Sequence, residues 1–388
     1  MIGRTWAYDL LRAMGFGVSF YCDNSKKPGI SIKDGIKTVP LEKLYELKDE
    51  VIVFVAVGDR NQAGIREQLL TNGVKNIVSM DYRFLQIFIE SIQEMNKQDI
   101  TEQFRFILDD AEYLCGQFEY HMGYRPDLEN PRTFNEKLQW LKLHDRNPDY
   151  AKLVDKYTVK KYIKEKLGEQ YVIPTLGIYN SLEEINIDNL PQQFVLKCTH
   201  DSGSAVVCED KDKFNWDSAK NVLESSLERN FYWVSREWIY KNLEKRIIVE
   251  KYLLDISKMI DYKFLCFDGK VEMIFTCSER FEEGGLKVTF FDTEWNKMPF
   301  KRHYPASKKE IKKPENLRQM IRLAESLSEG IAFVRIDFYD IEGKIYFGEM
   351  TFFPGAGMEE FSPVEWDYRL GEMINIRSDN KTKSASVV

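Results

Sequence analysis

The sequence of 388 residues is 43% hydrophobic and 30% charged, and its 55 Lys and Arg against 62 Asp and Glu leave a net charge of −7. That composition excludes a disordered chain, and the acidic balance argues against nucleic acid as the main partner. At roughly 150 residues per domain the length predicts two or three folded units, and 25 Phe with 20 Tyr supply a sizeable core.

Residues 1–92 alternate between helical and strand patterns. Tyr8–Met14 reads as a helix stopped at Gly15, Val18–Cys22 as a strand and Leu41–Leu47 as a helix. The run Val51–Val57 has the continuous apolar character of a parallel strand covered on both faces. A helix over Gln62–Asn72 and a strand over Asn76–Met80 follow, predicting a Rossmann-like α/β half domain. Its first strand is missing, because Met1-Ile-Gly-Arg4 runs straight into helix. Gly3 looks like the last glycine of a G-x-G-x-x-G loop, and Asp23 falls where a ribose-binding acid would stand. With half of that fingerprint absent, docking or oligomerisation is the preferred reading of this domain.

Residues 93–150 read as a helical, polar connecting segment in which Thr133-x-x-Glu136 forms a capping-box pattern. Residues 151–375 form the larger unit, and 376–388 a polar tail. Val51–Val57 is far shorter than the ~20 residues a membrane helix needs. The N-terminus lacks the apolar stretch of a secretory leader, so a cytoplasmic protein with no transmembrane segment is expected. Cys22, Cys115, Cys198, Cys208, Cys266 and Cys277 contain no C-x-x-C pair, and His121, His144, His200 and His303 have no metal-ligand spacing.

Four stretches could carry chemistry. In Gln193–Val207, Lys197 ends an apolar strand before the small loop Ser202-Gly203-Ser204. Backbone N–H groups of such a loop suit phosphate, although a plain hairpin with a snorkelling Lys reads the same way. In Arg246–Leu253, a strand ends in Glu250-Lys251-Tyr252-Leu253, which can offer backbone groups to a base edge. Val334–Thr351 reads as a hairpin about Gly343. A turn centred there pairs Asp337 with Glu349 and Arg335 with Thr351 on one face. Two facing carboxylates repel unless a cation bridges them, and hard oxygen ligands suit Mg2+ holding phosphates. A solvent-exposed acidic face is the alternative, and a one-residue slip would separate the pair. The loop Pro354-Gly355-Ala356-Gly357 follows, either as a plain turn or as a holder for a substrate carboxyl. Arg280 is a further candidate for a substrate carboxylate.

Taken in order, these pieces resemble the ATP-grasp superfamily. Asp155-Lys156 opens a helix, Lys197 precedes the small loop, Glu250–Leu253 stands at the hinge, and Glu349-Met-Thr-Phe-Phe-Pro-Gly355 resembles the E-x-N-x-x-P-G ending of peptide-forming members. Pro131–Trp140, Asp155-Lys-Tyr157 and Tyr346–Gly355 are similar to the TupA-like branch, met in teichuronopeptide and capsular polysaccharide gene clusters. The resemblance covers roughly residues 120–375.

It implies an α+β ATP-grasp fold, with ATP and Mg2+ as cofactors. Lys156 and Lys197 would contact the phosphates, Ser202, Gly203 and Ser204 would form a lid, and the backbone of the Glu250–Leu253 segment would take the adenine edge. Asp337 and Glu349 would hold Mg2+, with Thr351, where Asn is usual, as a weaker ligand. Arg335 and Lys263 would face the transferring phosphate, and Pro354, Gly355 and Gly357 the substrate. The implied activity is amide formation between a carboxylate, of a surface glycan or its precursor, and an amine. Peripheral association with a membrane-bound glycan assembly complex goes with it. A glycosyltransferase using Asp210-Lys-Asp212, or a non-catalytic nucleotide-binding protein, are the rival readings.

Overall fold

The protein, a computed structural model, is described over residues 5–23, 29–30, 37–47, 50–56, 59–95, 103–253, 260–279, 282 and 285–376. Contacts divide the chain into two compact units, residues 1–125 and 126–388. Gly3, Arg280 and the tail 377–388 lie outside the described residues, as does the side chain of Asp23.

The first unit alternates helix and strand. Its strands are Tyr21–Asp23 (β1), Gly29–Ile30 (β2), Lys37–Pro40 (β3), Val53–Val55 (β4) and Ile77–Ser79 (β5). They group as two small sheets among the described residues, β1-β3-β2 and the parallel pair β4-β5. Only Val55 of β4 is fully buried, and Ile52 beside it is 56% exposed, so the run is not covered on both faces. Helix Thr5–Ala13 buries Trp6, Leu10 and Leu11 and ends at Gly15, whose φ of +86° suits a residue without a Cβ. Helix Asp110–Met122 is capped by Asp109, which accepts from Ala111 and Glu112 at 2.8 and 3.0 Å, and it stops at the left-handed Gly123.

The second unit contains two antiparallel sheets. Thr175–Tyr179 (β6), Phe194–Cys198 (β7), Val206–Cys208 (β8) and Ile247–Lys251 (β9) form one, in the order β6-β9-β7-β8. Helix Trp216–Glu228 packs on it through Leu223, against Phe194, Leu196, Ile247 and Val249. Asp261–Phe267 (β10), Lys270–Ser278 (β11), Lys287–Phe291 (β12), Phe333–Ile341 (β14) and Lys344–Thr351 (β15) form the other, in the order β12-β11-β10-β14-β15. The short strands Lys301–Arg302 (β13) and Phe361–Ser362 (β16) pair separately. Along β10 and β14, Tyr262, Phe264, Val334, Ile336 and Phe338 point into the core, where helix Leu317–Ser328 supplies Met320, Ala324 and Leu327. The alternate positions, Asp261, Lys263, Arg335, Asp337 and Tyr339, take the opposite face.

Residues 126–150, which the sequence pattern groups with the connecting segment, pack inside this second unit. Phe134, Leu138 and Leu141 of helix Phe134–His144 belong to its core. The capping box forms as its pattern predicts. Thr133 Oγ1 accepts from Glu136 N at 3.1 Å, and Glu136 Oε2 accepts from Thr133 N at 3.0 Å. Gly371 of helix Glu365–Met373 lies against the start of this helix, so close that a Cβ there would stand 2.1 Å from Arg132 O. Gly371→Ala should therefore force the two helices apart and cost about 1–3 kcal/mol, read as a lowered urea midpoint at unchanged m-value.

Candidate functional site

The hairpin β14–β15 turns through Glu342-Gly343, with φ of +52° and +76°, and Ile341 faces Lys344. Positive φ at both central residues is the two-residue hairpin geometry whose twist matches the strands. The turn is thus centred between Glu342 and Gly343, one position off the register read from the sequence. An irregularity between Ile336 and Phe338 then restores the expected pairing, so that Ile336 faces Met350 and Arg335 faces Thr351. Asp337 lies at this bulge, with Gly348 and Glu349 across from it. A Cβ on Gly348 would stand 3.2 Å from Asp337 O and from the Tyr339 ring, so glycine permits the close approach. The anticipated Asp337–Glu349 neighbourhood is present, but as a bulged rather than a directly opposed pair.

Arg335 fills the space between the acids. Its Nε and one terminal nitrogen donate to the two Asp337 oxygens at 2.7 and 2.8 Å, and the same terminal nitrogen donates to Glu349 Oε1 at 2.6 Å. Lys263, directly opposite Asp337 on β10, donates to Asp337 Oδ2 and lies 3.6 Å from Asp261. Thr351 Oγ1 donates to Glu349 Oε1 at 3.2 Å. The Asp337 side chain is 3% exposed and that of Glu349 46%, so Glu349 presents the accessible carboxylate. Burial pushes the Glu349 carboxyl up, but Arg335, Lys263 and Lys156 outweigh it and hold the group at about 2. Burial also drives the Tyr240 phenol far above its ordinary range, with Glu237 and Glu349 adding to it, and Tyr339 behaves likewise. The Tyr339 ring lies against Gly348, beside the acid pair.

A second charge cluster lies on the four-stranded sheet. Lys197 near the end of β7 and Glu250 near the end of β9 share a face, because Val195 pairs with Glu250. Glu250 receives Lys197 at 2.7 Å and Lys160 at 2.5 Å. Burial raises Glu250, but the two lysines overcome it and hold the carboxyl at about 2. Burial lowers Lys160 in spite of Glu250. Nothing in the sequence pattern singles out Lys160, although it stands one helical turn beyond Lys156. Asp155 opens the intervening helix by accepting from Tyr157 and Thr158 at 3.0 and 2.7 Å.

The loop after β7 is organised by Asp201, a second residue that the sequence pattern does not mark. Its Oδ1 accepts from Ser204 Oγ at 2.6 Å and its Oδ2 from Arg229 at 3.3 Å, while Lys156 donates to its backbone carbonyl. Ser204 is buried and its hydroxyl also accepts from Cys198 N at 2.9 Å, so it braces the loop from within. Ser202 and Gly203 form the exposed tip. At the hinge, Lys251 N donates to Pro174 O at 2.9 Å, and Tyr252 Oη to Glu209 at 3.3 Å.

The Pro354–Gly357 loop holds three successive left-handed residues, Gly355, Ala356 and Gly357, at φ of +59°, +54° and +62°. A Cβ on Gly355 would stand 2.3 Å from the Glu359 side chain, and one on Gly357 2.5 Å from Gln139. Asp210, of the Asp210-Lys-Asp212 stretch, caps a short turn and pairs with Lys213 at 2.8 Å.

The family model for the TupA-like ATPgrasp family matches residues 136–375, more than half of the chain. The protein belongs to the TupA-like ATP-grasp family. Its α/β architecture is accordingly that of an ATP-grasp fold. A comparison of the sequence with curated proteins gives no significant match. Among solved structures, the chain is similar to a D-alanine–D-alanine ligase from Helicobacter pylori (15% identity, TM-score 0.32, 57% of this chain and 61% of that one). It is similar to an L-amino acid ligase from Bacillus licheniformis (13%, 0.33, 92% and 68%) and to the ATP-grasp ligase PsnB complexed with minimal precursor, Mg and ADP (12%, 0.34, 78% and 88%). It spans 61% of the Helicobacter enzyme's length and 53% of that of a Bacillus anthracis D-alanine–D-alanine ligase complexed with ATP. These likenesses are too loose to carry the reaction over to this chain. No helix among the described residues is long and apolar enough to cross a membrane.

Glu250→Gln should leave Lys160 and Lys197 buried without a counter-ion and destabilise the second unit by about 3–5 kcal/mol. A carboxyl held at about 2 contributes stability that is fully present above its ordinary value of 4.5 and lost as pH falls toward 2. Thermal melts from pH 6 to 2.5 should therefore show a smaller acid-induced loss in the variant than in the wild type.

Proposed function

We propose that this protein is an ATP-dependent carboxylate–amine ligase acting through an acyl phosphate. The observation that carries the reading is the clustering of cations on acids of two sheets: Lys160 and Lys197 on Glu250 of the four-stranded sheet, and Arg335 and Lys263 on Asp337 of the five-stranded one. Lys156 and Lys197 would bind ATP phosphates, and the Ser202–Gly203 tip would close over them. With its N–H given to Pro174, Lys251 would offer its carbonyl to the adenine edge, beside the Leu253 N–H and the Tyr252 ring.

Glu349 and the Thr351 hydroxyl are hard oxygen donors on one strand that would suit Mg2+, and Asp337 on the adjacent strand would join them once Arg335 and Lys263 release its oxygens. Two carboxylates rather than a full protein cage suit an ion that shares its shell with phosphate oxygens. No cluster of three or more His, Cys, Asp and Glu side chains placed to hold a metal occurs among the described residues. Bound there, Mg2+ would neutralise charge on the transferring phosphoryl group.

In the proposed reaction a substrate carboxylate oxygen attacks the γ-phosphorus as the bond to ADP breaks. The amine then attacks the acyl carbon, phosphate leaves, and the amine's proton passes to solvent or phosphate. Arg335 and Lys263 would stabilise the charge on the transferring group, while the Pro354–Gly357 loop holds the carboxyl. Closure of the loop tip would keep water from the acyl phosphate. The branch resemblance supports a uronic acid of a cell-surface polysaccharide or its precursor as the acid.

Mg-ATPγS at about 100 times Kd should stabilise the protein by about 2.7 kcal/mol, and Glu349→Ala should abolish the magnesium-dependent part. Stabilisation by UDP-glucose or UDP-glucuronate but not by ATPγS would replace this reading with a glycosyltransferase.

A further inference from the structure

The helix Phe134–His144 carries a polar face that the proposed reaction does not use. Asn135, Gln139 and Lys142 follow at steps of four and three residues and so share one side of the helix. All three are completely buried. Polar groups survive such burial only with partners, and an ammonium needs several. Asn135 Nδ2 donates to Glu359 O at 3.0 Å and to Asp367 Oδ2 at 2.9 Å. Gln139 Nε2 donates to Ala356 O at 3.0 Å and Gly357 O at 2.8 Å. Lys142 Nζ donates to Gln139 Oε1 at 3.0 Å, Ser235 O at 3.0 Å and Ala356 O at 2.9 Å, which uses all three of its protons.

Two of those acceptors belong to different segments of the chain. Ala356 is the centre of the left-handed loop, and Ser235 begins the segment that runs through buried Glu237 to Tyr240, whose phenol feels Glu349. A hydrophobic side chain at 142 would fill the volume, yet would leave both carbonyls without this donor.

We propose that Lys142 is a positioning residue: its Nζ, bonded to Ala356 O and Ser235 O, fastens the Pro354–Gly357 loop to the Ser235–Tyr240 segment, and so sets the carboxyl-holding end of the site against its phosphate end. The catalytic consequence rests on the ligase reading of that loop, whereas the fastening does not. Facing Lys142 are Glu237 from the segment, the Phe353 ring at 5.8 Å from the loop, and Gln139 from its own helix. Arg302 holds the loop elsewhere, through Pro354 O at 2.8 Å and Glu359 at 3.3 Å, and Asp367 is engaged with Asn135.

Burial lowers Lys142 to about 8, against the pull of Glu237. Opening that brings Lys142 into water returns it toward 10.5, so opening takes up a proton between those values. The loop is then held harder as pH rises from about 8 to 10, with protection growing up to roughly tenfold per pH unit. Amide exchange of the 352–360 peptides, corrected for intrinsic rates, should show that slope in the wild-type chain. Lys142→Met should exchange there at least about tenfold faster, with no slope, while peptides of β10 and β14 stay unchanged. Lys142→Gln, expected to behave likewise, serves if the first variant does not fold. Loop protection equal to wild type in a variant, or loosening spread evenly over the unit, would overturn the proposal. Mg-ATPγS affinity measured on the same samples should stay within about threefold. Its absence in the wild type would remove the ligase reading, and the exchange profile would still decide whether Lys142 fastens the loop.

Discussion

Everything in the site depends on the charge compensation around Asp337. A carboxylate 3% exposed on the face of a β-sheet is tenable only with cations in contact, and Arg335 and Lys263 provide them from its own strand and from the next. The strand period of two puts Arg335 and Asp337 on the same face, and the antiparallel register puts Lys263 opposite. Arg335 then reaches across the hairpin to Glu349, so the same guanidinium that neutralises one acid orients the other. The opposite sheet face is wholly apolar at Val334, Ile336 and Phe338, which anchors β14 and prevents a register slip that would bury Arg335 in the core.

The parts of this arrangement legible in the sequence are those that follow from local period and local turn chemistry. Residues at i and i+2 on a strand share a face, so the strand pattern alone puts Arg335 with Asp337, and Glu349 with Thr351. The capping box at Thr133 and Glu136 is likewise local. The register is harder to read. Glycine at 343 marks a turn, but not whether that turn is centred on it or beside it, and the bulge opposite Asp337 is signalled only by Gly348. The residues that sequence pattern does not reveal are the partners rather than the actors. Asp201, Lys160, Gln139 and Lys142 act through contacts that reach between 28 and 218 residues along the chain, and their types alone read as a turn acid, a surface lysine and ordinary helix polar residues. Burial, a property of the folded chain in three dimensions, distinguishes them.

The division of the chain shows the same limit. Residues 93–150 read as a helical, polar connecting segment, whereas contacts divide the chain between residues 125 and 126. The helix Phe134–His144 is polar enough to read as a connector because its buried face is itself polar, at Asn135, Gln139 and Lys142. A helix whose buried stripe mixes Phe134, Leu138 and Leu141 with amides and an ammonium defeats a reading based on apolar periodicity. Such a face is tolerated because its donors meet acceptors: Gln139 and Lys142 bond Ala356 O, Gln139 bonds Gly357 O, and Asn135 bonds Asp367.

The cations of the site share one property that bears on how, under the proposed function, they would meet an anion. Lys197, Lys263 and Arg335 each contact a protein carboxylate that is itself buried, and Lys156 contacts the loop carbonyl of Asp201. A long flexible cation loses much of its rotamer freedom when a phosphate captures it. Here that ordering is already accomplished within the fold, since a second partner sets each side chain's direction. Glu250 is the clearest case: held at about 2 by Lys160 and Lys197, it stays ionised throughout the neutral range and keeps both lysines aimed along the same edge of the sheet. Replacing such an acid therefore does more than remove a charge. It frees two cations to find other partners, so a carboxylate that would touch no ligand becomes a determinant of where the phosphates would lie.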